Sequence, residues 1–257
     1  MPVPRSPLGR IWHGIPDVVF RVLGAGFFLA YVAFRVRYYL AHWPFLGLFY
    51  YDGGRRVPLP FVHVLVDATF LLIAIGYLVR TRPRQRASGI SEVVLPFIAA
   101  FWPMMPSAFQ WLDRSRWLAE TESGTAGWVT AWLRPLWAEG EVGPVRFWAA
   151  CGAMVFGSVL DLWGYWTLRR SLSIVAEARE MVTHGPYRWV RHPVYLGQFI
   201  AQAGVWLLLR PWHPLRACYY LIFVLMQLFR ARVEERVLER HFGAPFEQWK
   251  RRTWWFP

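Results

Sequence analysis

The segment Gly185-Pro-Tyr-Arg-Trp-Val-Arg-His-Pro-Val-Tyr-Leu-Gly197 sets two prolines, two arginines, a histidine and three aromatic residues between runs that otherwise read as membrane-spanning. Pro193 suits the first turn of a helix, where its missing N–H would lack a partner anyway and its φ is already helical. A helix therefore starts here. Its unpaired N–H groups and positive dipole end face the membrane boundary, open to a carboxylate or phosphate. Tyr187 and Tyr195 flank that point and offer aromatic faces to a cation or a flat base. The same residues also suit a plain interfacial turn, with Tyr and Trp as belt residues and Arg188 and Arg191 reaching for headgroups. The surrounding chain decides between the two.

Composition places the turn in a bilayer. Of 257 residues, 56% are hydrophobic and 18% aromatic, with 17 Trp, and the mean hydropathy is +0.24, outside the range of an ordinary soluble domain. The net charge of +13 does not indicate nucleic acid, because the 29 Lys and Arg are spread over short segments between apolar runs. Such charges set topology. Cys151 and Cys218 each lie in an apolar run, with no CxxC and no Cys/His spacing for a metal, so neither a disulfide scaffold nor a metal site is expected.

A spanning helix needs about 20 mostly apolar residues. Runs at roughly 17–36, 61–79, 90–111 and 145–168 qualify. Shorter runs at about 195–209 and 215–230, separated by Arg210-Pro-Trp-His-Pro214, predict a helical hairpin with both ends on one side. The expected fold is all-α, a polytopic transmembrane helical protein with four spanning helices, a C-terminal two-helix hairpin and a cytoplasmic cofactor-binding tail. Arg80-Thr-Arg-Pro-Arg-Gln-Arg86 carries four arginines and no acid, as a cytoplasmic loop does, whereas 112–144 sets three arginines against five acids, net −2, and belongs outside. Alternation then puts the N-terminus (Arg5, Arg10), 169–194 and 231–257 in the cytoplasm, each of them basic. A multi-pass protein of the cytoplasmic membrane with both termini cytoplasmic is the expectation. The first run contains Arg21, is followed by Arg35 and Arg37, and lacks a small-residue cleavage site, so it reads as an anchor rather than a cleaved signal. Residues 1–168 supply N-terminal transmembrane helices and 169–257 a C-terminal core, within one integrated membrane domain. In the outside loop Trp128, Trp132, Leu136 and Trp137 read as an interfacial aromatic anchor.

Beyond the sixth run comes Arg230-Ala-Arg-Val-Glu-Glu-Arg-Val-Leu-Glu-Arg-His-Phe-Gly243. On a continuing helix Arg230, Glu234, Val237 or Leu238, and His241 share one face at steps of three and four, while Glu235 and Glu239 lie on another flank, available to Arg232 and Arg236. As surface chemistry, Arg230 and Glu234 are a solvated i,i+4 pair worth about 0.2–0.5 kcal/mol. Folding back of the hairpin returns that face to the 185–197 turn, placing an acid and a base at a helix N-terminus on the membrane edge. S-adenosylmethionine suits this combination. It carries a carboxylate for N–H donors, an ammonium for an acid, a sulfonium for aromatic faces and an adenine for apolar walls.

Thr183-His-Gly-Pro-Tyr-Arg-Trp-Val-Arg-His-Pro-Val-Tyr-Leu-Gly197, then Glu234-Glu235, then Phe242-Gly-Ala-Pro-Phe-Glu-Gln-Trp249 resemble the C-terminal core of the isoprenylcysteine carboxyl methyltransferase family. Its superfamily includes phospholipid N-methyltransferases. The resemblance covers about 169–257, a methyltransferase core; the first four runs resemble the family only in being spans. It implies an integral membrane enzyme that uses S-adenosylmethionine on the cytoplasmic side and admits a small lipophilic methyl acceptor laterally from the bilayer. Arg179 to Val182, with Glu180, Met181 and Val182, match the strand-like approach that touches the cofactor largely through backbone, and Tyr187 matches a cofactor-contacting tyrosine. His192, Pro193 and Tyr195 match the central contacts, Glu234 the acid that holds the cofactor, and Arg230 a residue turned toward the acceptor. Arg230 and Glu234 are therefore the implied catalytic pair. The 112–144 loop has no counterpart in the family, and the acidic segment is Val-Glu-Glu rather than a longer acid run.

A carboxylate or thiolate acceptor needs positioning more than proton transfer, with Arg230 holding it. An amine or hydroxyl needs a proton sink, for which Glu234, His192 or His241 stand nearby. Two rivals share the scaffold. NADPH-dependent sterol or isoprenoid reductases resemble the same turn, but their RH-x-N-Y signature has Asn where this chain has Val194. A non-catalytic membrane assembly protein has no reason to keep an acid at the bilayer edge beside His192 and Tyr195. A soluble Rossmann methyltransferase is excluded, because the only Gly-x-Gly, Gly24-Ala-Gly26, lies inside the first span. Asp67 and Asp161 lie within spans, where ionisable residues are costly and commonly functional. Neither matches a family motif, and packing or capping is the role expected of each, Asp161 being the stronger outsider because its span leads into the cofactor segment. Asp17 and Arg21 read as an i,i+4 interfacial pair.

Overall fold

Proline and glycine punctuate the apolar runs, and the helices obey that punctuation. The computed structural model describes residues 7–42, 49–52, 55–58, 60–106, 132–136, 143–208 and 213–254. In chain order these form α1 (Pro7–Gly14), α2 (Asp17–His42), a two-stranded antiparallel hairpin of β1 (Phe49–Asp52) and β2 (Arg55–Pro58), α3 (Pro60–Val79) and α4 (Ile90–Phe101). There follow α5 (Pro144–Leu168), α6 (Pro193–Leu208), α7 (Pro214–Phe242) and α8 (Ala244–Arg252). Proline opens α3, α5, α6 and α7, where a missing N–H costs nothing. The β-hairpin departs from the all-helical expectation. Its signal was local: Tyr and Val around Gly53-Gly54, a sequence suited to a two-residue connection.

The described residues of all six expected runs are helical, residues 107–111 and 209 lying outside them. Among the described residues, Asp17–Arg37 and Pro144–Leu168 are long and apolar enough to cross a bilayer; α3 runs 20 residues, as expected at 61–79, and Ile90–Met104 is apolar and shorter. The 12 residues of α4 rise only about 18 Å at about 1.5 Å per residue. The continuous run expected at 90–111 gives way to a 3-10 turn at Trp102–Met104, where Pro103 removes a backbone donor. Of the aromatic stripe in the outside loop, Trp132 is exposed and Leu136 buried; Trp128 and Trp137 lie outside the described residues.

α2 and α3 run antiparallel, Asp17 meeting Arg80 at one end and Arg35 meeting Asp67 at the other. At one end the N-terminal segment, the arginine loop and residues 169–178 are tied together. Arg86 donates to the carbonyls of Trp12, His13 and Ile15, Thr81 N–H donates to Arg170 O at 2.7 Å, and Ala178 exchanges backbone hydrogen bonds with Gln85. Arg179, 1% exposed, reaches Asp17 at 3.2 Å, Glu177 at 2.9 Å and the Thr81 carbonyl. Asp17 is thus more than the surface partner of Arg21: it also pairs with Arg80 at 2.9 Å and helps neutralise a buried guanidinium. Removing one member of such a network leaves an uncompensated charge. Asp67 pairs with Arg35 across α2 and α3 at 3.1 Å, the packing role expected of it.

The tightest helix pair is α5 against α6, and glycine makes it so. A Cβ on Gly197 would stand 2.6 Å from the Gly157 carbonyl and 2.8 Å from the Asp161 nitrogen; one on Gly204 would stand 2.7 Å from the Ala150 carbonyl. Small residues let backbones meet where apolar side chains gain nothing over lipid. Gly152, on the same helix, faces open space. Gly157→Ala is therefore expected to cost at least about 2 kcal/mol through overpacking against backbone, while Gly152→Ala is neutral or slightly stabilising, as thermal unfolding of the two variants in detergent will read out.

Candidate functional site

Four pieces of chain converge beside the start of α6. The first is the turn before it. Gly185 adopts φ +59°, open to glycine but not to most residues, and the 3-10 turn Gly185–Arg188 follows. The second is the C-terminal third of α7. The α6–α7 hairpin is antiparallel, as its cross-contacts show: Trp206 packs on Tyr219, Gln227 donates to Gln198 at 2.6 Å, and Tyr195 reaches Glu234. The third is the extended segment after α5, and the fourth is α8. Gly243, at φ +58°, ends α7 and turns the chain directly into α8, so that the tail doubles back onto the turn.

The two adjacent acids of α7 divide the work. Glu234 Oε1 accepts from Tyr195 Oη at 2.5 Å and from Arg230 Nε at 3.0 Å. Arg230 also donates to the Ile174 carbonyl at 3.0 Å and lies 5.1 Å over the Tyr195 ring. The His192 ring stacks parallel on that of Tyr195, with centroids 5.2 Å apart. Glu235 faces the tail. Its Oε1 accepts from Arg191 Nε at 2.8 Å and lies 3.2 Å from His192 Nε2, and Oε2 is 3.2 Å from Lys250 Nζ. The pairing of Glu235 with Arg232 and Arg236 expected from sequence is thereby corrected: the helix turns Glu235 inward, where Arg191, His192 and Lys250 from other segments meet it. Arg191 is likewise no headgroup seeker, since its Nη1 donates to the carbonyls of Lys250 and Thr253.

Burial opposes ionisation of Glu235, but hydrogen bonding and charge from His192 and then Arg191 outweigh it and hold the carboxyl down at about 2. Tyr187 shows the opposite balance. Burial first, and then Tyr165, Glu234 and Asp161 nearby, push its phenol well above the ordinary value, so it stays a hydrogen-bond donor at neutral pH. Trp249 Nε1 donates to the Tyr187 carbonyl at 3.0 Å and pins that turn to α8.

These groups border a cavity of about 370 Å³ that continues into the helix layer between α2, α3, α5 and α6. Glu180, Met181, Val182, Tyr187, His192, Tyr195, Arg230 and Glu234 all line it. Pro193 sits behind the wall, fully buried, as the first residue of α6. His241 lies off the cavity, edge-on against Phe242, which removes it from the proton sinks considered above. Sequence reasoning named Arg179 only for its backbone and Trp249 only within a motif, and of the α5 stripe deeper in the layer it singled out Asp161 alone. Tyr165, Asp161, Ser158 and Met154 on α5 face Tyr195, Gln198, Gln202 and Val205 on α6. Their spacing of three and four residues, polar grading to apolar, was a legible signal.

Residues 145–245 match the family model described as phospholipid methyltransferase. A curated relative, the Protein-S-isoprenylcysteine O-methyltransferase of Saccharomyces cerevisiae, is 33% identical over 110 residues, which are 40% of this chain and 45% of that protein. The chain thus spans less than half the length of the relative it matches. No solved structure matches. The resemblance read from the turn and the paired acids is upheld by both comparisons; the family model's match begins earlier than the expected 169, at α5, and so takes in the fourth apolar run, which was expected to resemble the family only in being a span.

The depressed Glu235 carboxyl carries a pH consequence. Its contribution to stability is whole above the ordinary carboxylate value of 4.5 and is lost as pH falls toward about 2. Glu235→Gln should accordingly lower the melting temperature at pH 6, with the gap to wild type closing between pH 4.5 and pH 2.5 in a thermal titration.

Proposed function

We propose that this chain, whose C-terminal part is of the phospholipid and isoprenylcysteine methyltransferase kind, is an integral membrane methyltransferase that uses S-adenosylmethionine and acts on a lipophilic carboxylate, thiol or amine. One observation carries the reading. A single cavity joins a polar limb, at the end where the basic segments meet, to an apolar limb between membrane helices. A charged cofactor and a greasy acceptor need such a shared chamber, one entering from water and the other from lipid.

The residues present fit the cofactor. The Glu234 carboxylate lines the chamber beside the start of α6 and suits an ammonium group. The N–H groups of the first turn of α6 suit a carboxylate. Tyr187, His192 and Tyr195 supply aromatic walls, and residues 179–182 an extended backbone edge. When bound, the cofactor supplies an electrophilic methyl group on a sulfonium. The chain's part is to hold both reactants at fixed distance and exclude water, which is the larger share of such catalysis. Arg230, tied to Glu234 and lying over Tyr195, stands between the polar limb and α5. There it couples cofactor binding to acceptor placement. The same arrangement supports a cytoplasmic polar limb, multi-pass insertion and cytoplasmic termini.

S-adenosylhomocysteine at about 100 times its Kd should stabilise the purified protein by about 2.7 kcal/mol, whereas NADPH should leave the melting temperature unchanged. Glu234→Ala should abolish the first shift while the variant still unfolds cooperatively. Stabilisation by NADPH alone would instead favour the reductase reading.

A further inference from the structure

Outside the cavity, the end of α5 carries a surface for which the chemistry above has no use. α5 exposes Trp148 near its start and Trp163 and Trp166 near its end. At about 1.5 Å per residue the first and last of these stand about 27 Å apart, close to the roughly 30 Å of a hydrocarbon layer. Tryptophans so spaced mark its two boundaries. A belt accounts for α5 alone, but not for what a distant segment adds at one of those boundaries. The Trp189 ring, from the turn before α6, meets Trp163 edge-on at 6.0 Å and is 56% exposed. Each outer indole carries a cation. The Arg169 guanidinium lies 4.6 Å over Trp166 and that of Arg188 lies 6.0 Å over Trp189. A guanidinium over an indole gains from the ring face and keeps N–H groups for an oxyanion. The tail holds the turn in this place, since Trp254 N–H donates to the Trp189 carbonyl at 2.7 Å and the Trp254 carbonyl accepts from Arg191 N–H at 3.2 Å.

Charge says what covers the face. The arginines at the cavity are matched by acids: Arg179 by Asp17 and Glu177, Arg191 by Glu235, Arg230 by Glu234. Among the described residues Arg169 and Arg188 have no acid partner, and Arg169 spends one N–H on the Trp166 carbonyl at 2.9 Å. We propose that this face is a binding site for an anionic phospholipid, its phosphate on Arg169 and Arg188 and its glycerol and upper acyl chains against Trp163, Trp166 and Trp189. Depth favours lipid over an acidic polypeptide, because Trp163 lies five residues short of Leu168, or about 8 Å inside the helical end, below the reach of a partner from water. Net charge favours an anionic headgroup over a zwitterionic one, which would bring its own cation against two unmatched guanidinium groups. A lipid held here braces the turn from outside. Two residues beyond Trp189, Arg191 begins the clamp on Glu235.

The test places the full chain in nanodiscs of equal parts phosphatidylcholine and phosphatidylglycerol and releases it into native mass spectrometry. Wild type should retain phosphatidylglycerol over phosphatidylcholine by at least about fivefold, and should melt about 3 °C higher in these discs than in phosphatidylcholine alone. Both effects should be lost in Arg169→Gln/Arg188→Gln and kept in Arg82→Gln/Arg84→Gln, which removes the same charge from two exposed arginines of the loop between α3 and α4. If the first pair does not melt cooperatively in phosphatidylcholine, Arg188→Gln alone, at an exposed position, takes its place and should lose at least about half of the enrichment. Equal enrichment in the two double variants overturns the site and leaves only the general charge of that end. No enrichment in wild type also overturns it, and a dimer in the same spectra would then give the indoles to a second copy of the chain.

Discussion

The adjoining carboxylates of α7 are the constraint on which the site depends. Because Glu234 and Glu235 are neighbours on a helix, their side chains diverge by about 100°, and each can serve a different partner. One turns to Tyr195 and Arg230 and forms the chamber wall. The other clamps Arg191, His192 and Lys250, and with them the turn and the tail. Neither function is available to a single acid. The pair thus joins three segments distant in sequence: the start of α6, the end of α7 and the doubled-back α8.

That joint would enclose nothing without the glycine seam. By letting α5 and α6 approach to backbone contact at Gly157, Gly197 and Gly204, the seam fixes the register in which the two graded stripes face one another. The chamber is polar where the helices leave the apolar layer and apolar within it, because both helices run through the same gradient. Charges buried at the polar end, Arg179 above all, are affordable only because Asp17, Glu177 and a backbone carbonyl converge on them. α1 and the arginine loop are in this way part of the chamber's support, although neither falls in the matched region of the family.

The comparisons and the geometry speak to different halves of the molecule. The family match spans α5 to the start of α8 and coincides with the seam and both acids. The preceding helices contribute Phe28, Phe70 and Ile73 to the apolar limb. The matched region thus supplies most of the polar lining together with Met154 and Val205, and the portion outside the match adds further apolar lining.

Read alone, the residues determined the helical class, the places of the apolar runs and the proline start of α6, because each follows from local chemistry: hydropathy, periodicity and backbone donors. They also marked Tyr187, His192, Tyr195, Arg230 and Glu234 through motif and helical spacing. Tertiary structure alone decided that Glu235 points inward, that Asp17 supports a buried arginine besides pairing with Arg21, that a 3-10 turn interrupts the third run at Pro103, and that Asp161 opens on a chamber. Those outcomes depend on which faces meet across segments far apart in the chain. Periodicity says which residues share a face, but only packing chooses what that face meets.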